Sequence, residues 1–401
     1  MNANGFIFSM KERVVSMTRK FVLPLLLLLV FCVGVPVGAQ DEGDLQEIDF
    51  FLSFIPNIQF APLYVGQEKG YFAEIGAELN VIYADEPDGV NLIAAGQIEY
   101  GIVGGEQVIQ ARANGRPIVY FYEWFQQFPV GIVVDAAREV TEVADLEGLK
   151  IGIPGPFGVS YSGLIAILAA EGLTEQDIQL ESIGFNAPDV FCMGVIDGSV
   201  VYINNEPVQI QHRADRDECA GVKGIDVLPM SYVIDLLGNG LVTSEALFNE
   251  NPDLTRGMAQ AFDRGLRDTI NNPAQAYLIN ESYVENLPLS DALRAALEAE
   301  AEATEAFLLT DPDRLAVAAN REAIFARLAA EFDVNELIQF EILLRTIELW
   351  DADVLGWTDL ESWEATQEVF LLMGFINEAI DLNAAYTNDL LTQTEETETA
   401  P

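Results

Sequence analysis

Histidine is almost missing from this chain: His212 is the single one in 401 residues. A zinc centre or a serine–histidine hydrolase needs imidazole at defined places, so both classes are disfavoured from the start. Cysteine is nearly as scarce, with Cys32, Cys192 and Cys219 the only three. Positive charge is also short, 20 Lys and Arg against 64 Asp and Glu, for a formal net charge of −44. A surface of that sign repels nucleic acid and anionic membrane. It says nothing direct about a small ligand, because a solvated acidic shell accounts for it.

What is present begins with an export pattern. Lys11, Arg13, Arg19 and Lys20 precede an apolar run at 21–37, which ends in Val37-Gly38-Ala39. Basic, apolar and small-residue regions in that order make residues 1–39 a secretory signal peptide, cleaved after Ala39. The run of roughly 17 residues only just reaches spanning length, so an uncleaved membrane anchor is the alternative. Lipid attachment at Cys32 fits less well, since bulky Phe31 precedes it. Residues 40–401 then carry 16 basic and 63 acidic side chains, a net −47. About 360 residues exceed what one core usually serves, which predicts two lobes. In an exported chain, Cys192 and Cys219 form either a disulfide or two free buried thiols.

The stretch from Phe50 to Gly76 organises the rest. A strand is predicted at 48–54 from its aromatic and β-branched content, a turn at Pro56-Asn57, and one helix from Ala61-Pro62 to Phe72. A second strand follows at 77–83. In such β-turn-α-β units a ligand sits beyond the strand's carboxyl end, beside the helix N-terminus. The same pattern recurs: strand 100–103 runs into Gly104-Gly105 and a helix from Glu106, and strand 150–153 runs into Pro154-Gly155-Pro156-Phe157-Gly158 and a helix at 161–171. Asp88 is expected to cap the short helix after the loop at Glu86-Pro87. Six aromatic residues crowd 120–128, and alternation places Trp124 with Tyr120 and Tyr122 on one face. Flat apolar walls of this kind suit a planar heterocycle. From Asn251 onward the spacing is helical only, and the residues after Leu391 are polar and acidic.

Ala61-Pro62-Leu63-Tyr64, followed by Lys69-Gly70-Tyr71-Phe72 and Gly76, resembles the solute-binding proteins of bacterial ABC importers. The group in question includes sulfonate binders, binders of thiamine pyrimidine precursors and the related fungal hydroxymethylpyrimidine synthase. Gly155, Phe157 and Gly158 match the Gly-x-Phe-Gly loop of that family, and Asn204-Asn205-Glu206-Pro207 resembles a turn of its vitamin-precursor binders. Gly356-Trp357, Met373-Gly374-Phe375-Ile376 and Ala385-Tyr386-Thr387-Asn388 extend the likeness towards the C-terminus.

The resemblance implies an α/β protein with the two-lobe, periplasmic-binding-protein type II fold and a helical C-terminal extension. Its expected parts are a first lobe from 46–128, a second from 129–237, a return to the first with the terminal helices at 238–386, and a disordered acidic tail at 387–401. The expected activity is extracytoplasmic capture of a hydroxymethylpyrimidine-like heterocycle, delivered as a monomer to an ABC permease without cofactor or metal. Membrane contact would come only through that permease or an uncleaved N-terminal segment. Candidate ligand-binding residues are Phe54, Asn57, Glu86, Gly104, Gly105, Trp124, Phe157, Gly158, Ser160, Tyr161, Asn186, Asn205 and Glu206. Glu86 and Glu106 at neighbouring strand ends argue against an anion between the lobes, although acidic residues at helix starts are also ordinary dipole partners. Riboflavin or a sulfonate or nitrate is the alternative ligand. An enzyme like the synthase is the alternative of another class, and Gln107 stands where that enzyme carries its histidine.

Overall fold

The computed structural model describes residues 45–232 and 236–391. The signal-peptide region, Cys32 and residues 392–401 lie outside the described residues. Two five-stranded sheets with the same layout organise what is described. The first joins β1 (Gln46–Leu52), β2 (Ala77–Tyr83), β3 (Tyr100–Gly104), β4 (Ile118–Glu123) and β10 (Asn239–Ser244), in the order β2-β1-β3-β10-β4. The second joins β5 (Val130–Asp135), β6 (Lys150–Ile153), β7 (Gln179–Ser182), β8 (Gly198–Tyr202) and β9 (Ile225–Pro229), in the order β7-β6-β8-β5-β9. In each sheet four strands run the same way and one runs against them between its neighbours, β10 in the first and β5 in the second. Parallel strands need crossover helices, which explains the repeated strand, Gly-rich loop, helix units of the sequence. This is the periplasmic-binding-protein fold with extra C-terminal helices.

The chain passes from one sheet to the other twice, after β4 and again before β10. The two passages lie side by side, since the N–H groups of Trp124 and Phe125 both donate to the Asn239 carbonyl at 3.0 Å. Gly238 has no alternative there: a Cβ would come within 2.1 Å of the Phe125 carbonyl oxygen. Asn239 and Gly240, directly after it, open β10.

Local differences from the sequence expectation have local causes. The single helix expected to Phe72 breaks into Ala61–Glu68 and Tyr71–Glu74 because Gly70 takes a left-handed φ of 75°, which costs glycine little. The helix after β2 starts at Glu86, so Asp88 lies inside its first turn and Asp85 occupies the cap position. All six residues of β4 are buried, so its aromatics serve the core on both faces.

The C-terminal helices cover the first lobe. Pro252–Asn271 packs on Ala61–Glu68, and Val334–Trp350 carries Trp350 into the same core as Phe50, Phe121 and Trp124. Val334–Trp350 also reaches the second lobe, where Glu341 pairs with His212 at 2.9 Å. Residues 387–391 of the expected disordered tail are docked: Asn388 makes two hydrogen bonds with the Thr358 backbone at 2.8 and 3.1 Å, and Leu390 is buried. Among the described residues no helix is long and apolar enough to cross a membrane. Cys192 and Cys219 are joined in a disulfide across a sequence separation of 27. A crosslink of that span stabilises by about 3 kcal/mol through loss of freedom in the unfolded chain.

Candidate functional site

Strand ends of both lobes converge on one cleft, as expected for this topology. From the first lobe come Ser53 and Phe54 after β1, Gln59 and Phe60, Glu86 after β2, Trp124 and Phe125 after β4, and Asn239 at the start of β10. Facing them are Pro154 and Phe157–Ser160 after β6, Gly184 and Phe185 after β7, and Tyr202 and Glu206 at the end of β8. The space between them is about 100 Å³.

Its walls are aromatic and shut. Phe54 meets Phe185 edge to face across the lobes, with ring centroids 4.9 Å apart. Trp124 is buried, with Phe60 stacked near it at 5.9 Å and Trp350 tilted against it at 5.3 Å. Its indole N–H has no hydrogen-bond partner, an unusual state for a buried donor at a cleft wall.

The polar groups are mostly spent on holding the lobes together. Glu86 takes the Gly104 N–H on one oxygen at 2.8 Å and, on the other, the Val159 N–H of the second lobe at 3.3 Å. That second donor belongs to the first turn of helix Gly158–Ala170, where backbone N–H groups lack partners and favour negative charge. Gly158 sits in this latch with a φ of 68°, and a Cβ would lie 2.5 Å from a Glu86 carboxylate oxygen. Tyr202 donates to Asn239 Oδ1 at 3.0 Å, and the Asn204 amide donates to Gln59 Oε1 and Thr346 Oγ1, both at 2.8 Å. Glu206 accepts from the Tyr202 N–H at 2.9 Å and from Asn205 Nδ2 at 3.0 Å.

Three carboxyl groups here lose their water. Desolvation raises Glu86 above the ordinary carboxylate range against its two backbone donors. Glu106, wholly buried, is pushed up to about 8 by desolvation and then by the negative Glu86 beside it. Glu206 is pushed up to about 7, again by desolvation first. At neutral pH the Glu86–Glu106 pair therefore retains a proton between them, and Glu206 is shifted in the same direction.

Of the candidate residues, Phe54, Glu86, Trp124, Phe157, Gly158, Ser160 and Glu206 line the cleft. The others are not among its lining. Asn57 caps the short turn at Ile58–Phe60 by accepting the Gln59 N–H. Gly104 spends its N–H on Glu86, and Gly105 donates to the Gly238 carbonyl, so neither backbone donor is left for a ligand. Tyr161 donates to Glu175 at 3.0 Å, Asn186 is exposed, and Asn205 braces Glu206 from behind. Sequence reasoning passed over Gln59, Phe60, Phe125, Phe185, Tyr202 and Asn239. Phe185 and Tyr202 were within reach, one residue before Asn186 and at the end of the strand leading to Asn204. Asn239 was not, because its place depends on how the two passages pair.

A family described as "NMT1/THI5 like" matches residues 57–276. A riboflavin-binding protein, RibY, of Chloroflexus aurantiacus is 29% identical over 358 residues, 87% of each chain. A formylaminopyrimidine-binding protein of Halalkalibacterium halodurans is 26% identical over 277 residues, 67% of this chain and 81% of that one. Among solved structures, a putative sulfonate ABC transporter's periplasmic sulfonate-binding protein, SsuA, from Methylobacillus flagellatus aligns with a TM-score of 0.52 at 14% identity, over 86% of this chain and 93% of that one.

Proposed function

The chain belongs to the NMT1/THI5-like family, and from that premise we propose that it is an extracytoplasmic solute-binding protein that closes around a planar aminopyrimidine of the thiamine-precursor type for an ABC permease. The observation that carries the reading is the cleft itself: aromatic walls from both lobes around a space of about 100 Å³. A dry, apolar cavity of roughly 150 Å³ takes up benzene, so a space of about 100 Å³ leaves room for no more than one ring. Glu206 and the unpartnered Trp124 N–H supply an acceptor and a donor at its wall, the polar pair an amine-bearing heteroaromatic ring needs for orientation.

A flavin is the second reading, favoured by the likeness to a riboflavin binder over 87% of each chain. Its three fused rings require the cleft to stand further open than it does here. Sulfonate and nitrate fit less well, because Glu86 and Glu206 line the cleft and its carboxylates oppose an anion. Catalysis finds little support at the same place, since no histidine, lysine or cysteine is among the residues that line it.

Calorimetric titration of the mature protein with 4-amino-5-hydroxymethyl-2-methylpyrimidine, riboflavin, taurine and nitrate tests this. The pyrimidine should bind best, and Phe157→Ala should weaken it several-fold, the loss of an aromatic contact worth about 1 kcal/mol. Preference for riboflavin would move the assignment to the second reading. Tight binding of taurine or nitrate would sink both.

A further inference from the structure

A second cavity, of about 250 Å³, adjoins the cleft and shares Phe157 and Gly158 with it. Its chemistry is the reverse of the cleft's. Not one aspartate or glutamate is among its lining residues, in a chain that carries 64 of them. The polar side chains that line it include Gln107, Gln110, Ser162 and the guanidinium of Arg116.

Arg116 is set apart from every other cation. Among the described residues, all three lysines and each of the other twelve arginines form an ion pair with a carboxylate. Arg116 has only the neutral Asn91 amide oxygen as a hydrogen-bond partner. In so acidic a protein, a guanidinium without a carboxylate partner, at a cavity free of carboxylates, keeps its charge and most of its five donors for something else. Planar, forked donors match a phosphate or carboxylate group.

From these observations we infer that the second cavity is a subsite for a small anionic group, phosphate or carboxylate, held by Arg116 with Gln110 and Ser162. The group is either the terminal part of the ligand seated in the cleft or a free anion bound alongside it. This rests on the proposed function only for the identity of the ring, not for the anion. The carboxyl groups beside it are each engaged by a donor: Glu106 Oε1 accepts from Gln107 at 2.9 Å, Glu86 accepts the Gly104 and Val159 N–H groups, and Glu175 accepts from Tyr161 at 3.0 Å.

The test is calorimetric titration at low ionic strength with inorganic phosphate, with 4-amino-5-hydroxymethyl-2-methylpyrimidine and with its phosphate ester. The wild type, Arg116→Gln and Gln110→Glu are compared, each checked for folding by its melting temperature. If the anion is the ligand's own, the ester binds at least tenfold tighter than the free alcohol, both variants erase that preference, and affinity for the alcohol stays within about twofold. If it is a free anion, inorganic phosphate binds the wild type and its affinity falls at least tenfold in both variants, with no preference for the ester. Phosphate binding that depends on Arg116 while neither pyrimidine binds keeps the subsite and removes the proposed ligand. Absence of both phosphate binding and ester preference, or either one persisting unchanged in Arg116→Gln, overturns the inference.

Discussion

Gly158→Val should lower affinity for any ligand of the cleft by about a hundredfold or more, equivalent to roughly 2.7 kcal/mol, while leaving both lobes folded. Two effects act together at this residue. Its left-handed φ of 68° costs a side-chain-bearing residue about 1–2 kcal/mol. Beyond that, a Cβ would stand 2.5 Å from Glu86 Oε2, and Glu86 belongs to the other lobe. The added atoms would pry apart the bond between Glu86 and the Val159 N–H. A ligand gains its binding energy from contacts that exist only when the lobes are shut, so blocking that state removes them together. Calorimetry reads the affinity, and small-angle scattering reads the separation of the lobes. Affinity within threefold of the wild type would mean the latch is not part of closure.

Stability should fall as pH rises from 5 to 9, and Glu106 should account for much of the fall. Its carboxyl is pushed up to about 8 and that of Glu206 to about 7 in the folded protein, whereas an unfolded glutamate titrates near ~4.3. Between those values the folded state holds protons that the unfolded state has released, so raising the pH favours unfolding. The stabilisation is fully present below the unfolded value and is lost as the pH passes through the folded ones. Each unit of difference is worth about 1.4 kcal/mol, which makes Glu106 alone a matter of several kcal/mol. Mutual repulsion among the surface carboxylates acts in the same direction. Glu106→Gln separates the two, because it keeps the shape and removes the titration. Its urea midpoint should vary with pH far less than that of the wild type. Parallel curves for the two proteins would remove Glu106 from the account and leave Glu206, Glu86 and the surface charge.

The fold was readable because its signals are local. Strands β2 and β6 fall where the sequence places them, Ala77–Tyr83 and Lys150–Ile153, since Gly76 opens the first and Pro154-Gly155 closes the second. The Gly-rich loops located one wall of the cleft for the same reason. What stayed hidden depends on distant partners. Glu86 could be chosen as a cleft residue, but nothing near it reveals that one of its oxygens is taken by a backbone donor 73 positions away. Trp124 was expected to offer its face to a ligand. Phe60 and Trp350 already crowd its ring, and Trp350 comes from a helix that begins at Val334. Periodicity marks such a helix as amphipathic without saying which core receives it.

The side-by-side passages between the lobes also fix an order of assembly. Strand β10 must pair with β4 across roughly 115 intervening residues, and closing so large a loop from an unfolded chain carries a heavy entropic cost. A folded second lobe brings the two ends together at Phe125 and Gly238 before that pairing starts. The first sheet, although its opening strand comes earliest in the chain, is therefore completed last. Pulsed hydrogen exchange during refolding would see this as protection of β5, β6 and β8 ahead of β10. The acidic chain, whichever lobe is synthesised first, waits on its inserted half to finish the other.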